Sequence, residues 1–182
     1  FAEGVDAAKK DYCSIANEHH FNRLKGALAD ALSDGAELAC GGEVSQEGLY
    51  FTPAVLTGVN YDNSIMKEEI FGPILPIIKV QSLDESINYI NENEKPLALY
   101  LFSNKSAVHS KVLKSTSSGG MVINDCVLHH MNPNLPFGGI NNSGVGSYHG
   151  KFGFDAFSHH KAVLKSSSVS PFKIMLPPYT KT

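Results

Sequence analysis

Ile74-Leu-Pro-Ile-Ile-Lys-Val80, Ser82-Leu-Asp-Glu85 and Leu97-Ala-Leu-Tyr-Leu-Phe102 decide the fold. The first and third are short, nearly continuous apolar runs, the pattern of strands buried on both faces. Between them Ser82 stands three residues before Glu85, a capping box, and Leu83, Ile87 and Ile90 share one face of the helix it opens. Lys95-Pro96 stops that helix. Ser103 to Thr116 reads as a second helix with Val108, Val112 and Leu113 inward, stopped by Gly119-Gly120, and Met121 to Asn124 as the next strand. Strand, helix, strand, helix, strand, with helices of about 10 to 14 residues, predicts a mainly parallel sheet with right-handed crossovers, an α/β fold.

Upstream, Ile15, Phe21, Leu24, Leu28 and Leu32 recur near helical spacing within residues 7–32. This predicts one long helix, or two broken around Asn17 to His20, ending by Gly35. Ala36 to Cys40 is a short strand closed by Gly41-Gly42. Phe51 to Val59 is another, and Pro53, which has no N–H to give a ladder, marks it as an edge. Downstream, residues 133–153 hold six glycines, a density that means tight backbone packing or close approach to a ligand rather than a helix. Ser158 to Ser168 reads as a strand with no helix to cover it.

The composition is that of an ordinary globular protein: 182 residues, 42% hydrophobic, 18% charged, net charge −3. That balance does not point to a nucleic-acid binder, and no apolar run approaches the roughly 20 residues of a membrane span. Cys13, Cys40 and Cys126 are odd in number and widely spaced, which fits a reducing compartment and no disulfide framework. With no anchor after Tyr179, the expectation is a soluble, cytoplasmic protein. The chain starts at Phe1 without Met, and the expectation is the carboxyl-terminal part of a longer protein.

Several patterns carry less than they promise. Gly144-Val-Gly146-Ser-Tyr-His-Gly150 has one residue too many for the dinucleotide fingerprint and no apolar strand leading into it. The pairs His19-His20, His129-His130 and His159-His160 diverge on either regular element, and none has a further ligand at i,i+4, so no metal is expected. None of the three cysteines stands at a glycine-rich elbow or beside an evident base. The stretch Glu68-Glu-Ile-Phe-Gly-Pro73 is different: two carboxylates and an aromatic ring lie at the mouth of the first strand named above. Taken alone it is either a surface turn or a ligand loop whose carboxylate accepts two hydroxyl hydrogen bonds while the ring packs on something flat.

Glu68 to Pro73, preceded by Met66 and followed by Ile74 to Ile77, resembles the cofactor loop of the aldehyde dehydrogenase superfamily. Pro136-Phe-Gly-Gly139, followed by Asn142-Ser-Gly144 and Gly146, resembles its second signature, and the two stand in the family's order. Where many members carry Lys and Arg-Glu, this chain has Asn141 and Ser147-Tyr148. With Lys95 to Phe102, Ser117 to Gly120, Phe157 to His159, Asp11-Tyr12 and the Pro177-Pro178 ending, this is similar to the class 3 branch, which acts on fatty and aromatic aldehydes.

The resemblance implies that residues 1–156 are the carboxyl-terminal part of a catalytic domain and that 157–182 hold an oligomerisation strand and tail, with a homodimer formed through 157–170. It implies NAD or NADP as cofactor, Glu69 on the nicotinamide-ribose hydroxyls and Phe71 against the same part of the cofactor. Asn124, Val127, His130 and His149 would line or approach an aldehyde tunnel. The nucleophilic cysteine and the general base would lie upstream, so this chain alone would be inactive. A non-catalytic module keeping the fold, or a related semialdehyde or acyl-phosphate reductase, are the alternatives.

Overall fold

A computed structural model describes residues 12–168 together with Met175 and Pro177. The readings at 7–11, Asp11, the end of the 157–170 segment and the ending other than Pro177 lie outside those residues. The chain divides into two compact units between Glu85 and Ser86.

In the first unit the Asn17 side chain accepts the His20 N–H at 2.9 Å and so opens helix α1, Glu18–Ser33. The break expected around Asn17 to His20 is thus a helix start, and residues 12–17 are not helical. The helix stops at Gly35 as expected. The Gly35 N–H bonds the Leu32 carbonyl at 3.1 Å and the Ala36 N–H bonds the Ala31 carbonyl at 3.0 Å, the paired bonds of a Schellman motif, with Gly35 at φ +95°. Phe21, Leu24 and Ala31 form the buried face. Leu32, expected inward, is exposed because it lies about 100° around the helix from Ala31.

Strand β1 (Glu37–Cys40), the hairpin of β2 (Val44–Ser45) and β3 (Tyr50–Phe51), β4 (Ala54–Thr57) and β5 (Ile74–Pro76) follow. The larger sheet has the order β1-β4-β5, with β1 antiparallel and β5 parallel to β4. The edge reading of Pro53 is therefore corrected: β4 is the central strand. Pro53 falls just before the ladder, where its missing N–H costs nothing, and the Ala54 N–H makes the first bond, to the Pro73 carbonyl at 2.8 Å. Leu24, Phe51, Leu56 and Ile74 close a core between α1 and this sheet. Phe21, Leu24, Phe51 and Leu56 are fully buried, each stabilising the unit by about 1.5–3 kcal/mol. Asn63, 2% exposed, donates from Nδ2 to the Ala31 carbonyl at 3.0 Å and accepts the Ile65 N–H at 3.1 Å. It ties the end of α1 to the 3-10 turn Ser64–Met66 that leads into the Glu68–Pro73 loop.

Helix α2, Leu83–Glu92, begins as the sequence requires: Ser82 Oγ accepts the Glu85 N–H at 3.1 Å. Glu85 Oε2 accepts the Gln81 N–H at 2.7 Å, one residue earlier than in a strict capping box. In the second unit β6 (Ala98–Leu101) and β7 (Gly120–Ile123) pair in parallel from Ala98↔Gly120 to Leu101↔Ile123, with α3 (Ser106–Ser115) as the connection. Gly120, expected in the helix stop, is the first residue of β7. Val112 is buried, whereas Leu113, expected inward, is 62% exposed because only its neighbour shares the i,i+4 row of Val108. The expectation of strands covered on both faces also fails. Leu75 and Ile77 in the first unit, and Tyr100 and Ile123 on opposite faces of the pair in the second, are exposed.

The glycine-rich segment is held together by backbone lying on backbone. A Cβ on Gly119 would fall 2.2 Å from the Gly138 carbonyl oxygen and 2.6 Å from that of Leu97; one on Gly138 would fall 2.2 Å from the Gly146 oxygen. One on Gly139 would fall 2.1 Å from the Ser143 oxygen. Phe137 and Tyr148 exchange both backbone bonds, at 3.0 and 2.9 Å. The density of glycine does not exclude a helix: α5, Gly150–Ala156, forms at the end of the segment, with the Lys151 ammonium 2.7 and 2.9 Å from the two Asp155 oxygens one turn on. Residues 158–167 form no regular element, so the strand read there is not made within one chain, where it has no ladder to join.

Three outcomes follow for the 182-residue chain. Asn63→Leu removes the partners of a buried carbonyl and a buried N–H and lowers stability by about 2 kcal/mol in urea denaturation. Gly139→Ala forces backbone apart and costs more than about 3 kcal/mol, whereas Gly26→Ala, with open space around it, is neutral or stabilising. The third concerns pH. The Ser64 hydroxyl and backbone N–H beside Asp34 hold its carboxyl below the usual range. A lowered folded-state value means that the charged form stabilises the fold above the unfolded carboxylate pKa of about 3.9, and that this is lost as pH falls through the folded value. The stability gap between the chain and Asp34→Asn, read from urea midpoints, is therefore full above about pH 5 and closes on further acidification.

Candidate functional site

The Glu68–Pro73 loop is shaped by three attachments. Gly72 lies against the core side chain of Leu24, and a Cβ there would sit 2.3 Å from Leu24 Cδ2. The Pro73 carbonyl accepts the Ala54 N–H, and the Gly72 carbonyl accepts the Ile74 N–H at 2.9 Å, which turns the chain into β5. From α1, Arg23 Nη2 donates to the Ile70 carbonyl at 2.7 Å. Between these points Phe71 adopts φ +41°, a left-handed conformation that costs a non-glycine residue about 1–2 kcal/mol. A hydrogen bond from a charged donor is worth about 1.5–3 kcal/mol, enough to hold it.

The result is a presented pair. The Phe71 ring is 83% exposed, and the Glu69 carboxylate is exposed and, among the described residues, makes no hydrogen bond or ion pair. Glu68 and Glu69 line an open cleft of about 390 Å³ with Asn22, Arg23 and Gly26 of α1 and Lys67. Phe71 is not part of that lining. A free carboxylate with two acceptor oxygens beside an unpacked ring suits a vicinal diol attached to a flat group.

The second unit holds the other expected residues. Helix α4, Leu128–Met131, puts His129 inside and His130 outside. The His130 ring meets Phe137 edge-on at 4.7 Å and lies 5.1 Å from His149, which stands 4.6 Å from Tyr148. His130 and His149 are thus brought together around Phe137. Asn124 and Val127 are placed differently. Asn124 Oδ1 accepts the Ser103 N–H at 2.8 Å, closing the ends of β6 and β7, while Val127 stands half exposed at the cap of α4.

Backbone strain marks these positions independently. Among the described residues six non-glycines have positive φ, and Phe71, Asn124, Val127 and His149 are four of them. Such conformations cost about 1–3 kcal/mol each, persist only where the surroundings over-determine them, and cluster at functional sites. For a β-branched residue such as Val127 the conformation is a genuine outlier.

Two residues were missed by sequence reasoning. His129, 8% exposed, packs edge-on to Tyr100 at 6.0 Å and beside Phe137 at 5.4 Å, with neither ring nitrogen hydrogen-bonded. A Cβ on Gly120 would lie 2.5 Å from its ring, so the second glycine of Gly119-Gly120 makes its room. Arg23 is the other, and its signal was available: it is the one arginine among the 15 lysines and arginines. Two glycines of the near-fingerprint serve packing, Gly144 against the Gly139 backbone and Gly150 against the Pro133 carbonyl, while Gly146 stands in open space at φ +75°. No group of three or more His, Cys, Asp or Glu among the described residues has the arrangement to hold a metal, and no helix there is long and apolar enough to cross a membrane.

The aldehyde dehydrogenase family matches residues 4–163. A dimeric, NADP-preferring aldehyde dehydrogenase of Rattus norvegicus is 47% identical over 165 residues, covering 90% of this chain and 35% of that protein. Aldehyde dehydrogenase family 3 member A2 of the same organism is 44% identical over 186 residues, covering 100% of this chain and 37% of the relative. The substrate-bound Staphylococcus aureus AldH superposes with a TM-score of 0.86 at 45% identity, covering 93% of this chain and 36% of that one. The chain therefore spans little more than a third of these relatives' length. With a family match over residues 4–163 and a family 3 relative aligned along its whole length, the chain belongs to the aldehyde dehydrogenase family.

Proposed function

We propose that this chain is the carboxyl-terminal portion of an NAD(P)-dependent enzyme that oxidises aldehydes to carboxylic acids, and that it supplies half of the cofactor grip. The observation that carries the reading is the free Glu69 carboxylate beside the exposed, left-handed Phe71. Glu69 accepts hydrogen bonds from the two hydroxyls of the nicotinamide ribose, and Phe71 packs on the same part of the cofactor. When bound, the nicotinamide supplies the hydride acceptor. This chain's part is to orient: two acceptor oxygens on one carboxylate fix the ribose in one rotation, and the ring limits its tilt.

The cysteine nucleophile and the general base of the reaction belong to sequence upstream of Phe1, and the chain by itself is inactive. Cys13, Cys40 and Cys126 are exposed free thiols, which fits a reducing, cytoplasmic setting. Asn124, Val127, His130 and His149 border the aldehyde approach, with His130, Phe137 and His149 as an aromatic wall. Residues 1–156 act as part of the catalytic domain, and 157–182 form the oligomerisation segment and tail. Val163 and Leu164, 80% and 87% exposed, are the apolar contacts it offers a second copy, in a homodimer through 157–170.

The test uses the chain extended upstream to the length of its relatives. It oxidises aldehydes with NAD or NADP, and Glu69→Gln lowers the hydride-transfer rate or raises the cofactor KM by about 10- to 100-fold without changing Tm. Unchanged kinetics at every cofactor concentration would remove Glu69 from the site.

A further inference from the structure

Where this chain needs only positive charge it uses lysine; it has a single arginine, Arg23, and that residue donates to a main-chain carbonyl inside the Glu68–Pro73 loop. We propose that Arg23 is a positioning residue for the cofactor contact. By holding the Ile70 carbonyl it fixes the left-handed turn at Phe71, and with it the directions of both Glu69 and the Phe71 ring. The proposal rests on the assignment of Glu69 and Phe71 to the cofactor made above.

The argument is geometric. Ile70 is the residue between the two that are presented, and its carbonyl belongs to the rigid peptide unit that joins it to Phe71. Rotation about the next bond is the φ of Phe71, held at +41°. Releasing the carbonyl lets that peptide unit turn and Phe71 return to negative φ, a swing of roughly 100° toward the ordinary allowed region. The other two attachments lie after Phe71, at Gly72 and Pro73, and do not restrain the peptide before it. Leu24, the next residue on the same helix, supplies the apolar stop under Gly72, so two consecutive residues of α1 set the loop's height and its twist. Arg23 is half-buried, which restricts its rotamers, and its planar fork delivers a directed N–H where the rotating ammonium of lysine does not.

The experiment compares Arg23→Met, Arg23→Lys, Glu69→Gln and the double variant Arg23→Met/Glu69→Gln in the extended enzyme. Amide hydrogen exchange is read without cofactor, alongside cofactor KM, kcat and Tm. Arg23→Met is expected to leave the amides of α1 and β4 as protected as in the parent. It also shifts cofactor KM or kcat about tenfold in the same parameter as Glu69→Gln, at unchanged Tm. Arg23→Lys recovers part of the kinetic effect. The double variant loses less than the product of the two single effects, because both changes disturb the Glu69 contact and only the Phe71 contact is left for Arg23→Met to affect; a full product of the two effects overturns the proposal. Wild-type kinetics for Arg23→Met beside an impaired Glu69→Gln overturn the positioning role alone. Wild-type kinetics for Glu69→Gln remove the cofactor assignment, and with it the purpose given to Arg23. Faster exchange throughout α1 and β4 with a lowered Tm makes Arg23 a stability residue and also overturns the proposal.

Discussion

The contact between Leu24 and Gly72 is the constraint from which the first unit follows. Leu24 is fully buried, packed among Phe51, Leu56 and Ile74, and it has no free rotamer to yield. The chain that passes over it at Gly72 must do so without a side chain. That fixes the height of the loop above α1. The bond from Ala54 to Pro73 fixes its direction into β5. Glu68 and Glu69 line the cleft, and Phe71 stands exposed outside its lining, where Gly72 is held against the helix and Pro73 is bonded to the sheet. A glycine inside a binding loop is easily taken for a place where backbone approaches a ligand. Here it is where backbone approaches the core.

The second unit solves a similar problem with main chain alone. Gly119, Gly138 and Gly139 have carbonyl oxygens where their side chains would be, so three stretches of backbone pack closer than residues with side chains permit. Tight packing of this sort resists small deformations and supports the strained backbone at Val127 and His149. The aromatic wall of His130, Phe137 and His149 rests on that base, and the buried His129 fills the space that Gly120 leaves open. An imidazole among rings, with neither nitrogen bonded, is an expensive way to fill space. Its retention there ties the Tyr100 side of β6 to Phe137 through ring contacts.

Much of the secondary structure was legible residue by residue. The Ser82–Glu85 pair announced α2, Gly35 announced the end of α1, and the β6–α3–β7 order announced a parallel pair. Three of the misreadings share a cause. Leu32 and Leu113 are apolar residues one step off an inward row, and a tally of apolar spacing does not separate them from Ala31 and Val112. Pro53 was assigned an edge because a ladder needs its N–H, but the ladder begins one residue later. Gly150 and Gly153 discouraged a helix that is short enough to tolerate them. For Leu32, Leu113 and Pro53 the local chemistry was read correctly and its position was off by one residue.

By itself the sequence determined the order of elements, the caps that start and stop helices, and the two signature stretches that carry the family. These depend on neighbours within a few residues, whose geometry the chain's own periodicity dictates. Only the tertiary structure decided what the signature residues do: that Gly72 answers to Leu24, that Gly139 answers to Ser143, and that the Ile70 carbonyl answers to Arg23, 47 positions away. Close packing and directed hydrogen bonds between distant segments set those pairings, and no local pattern encodes which two segments meet.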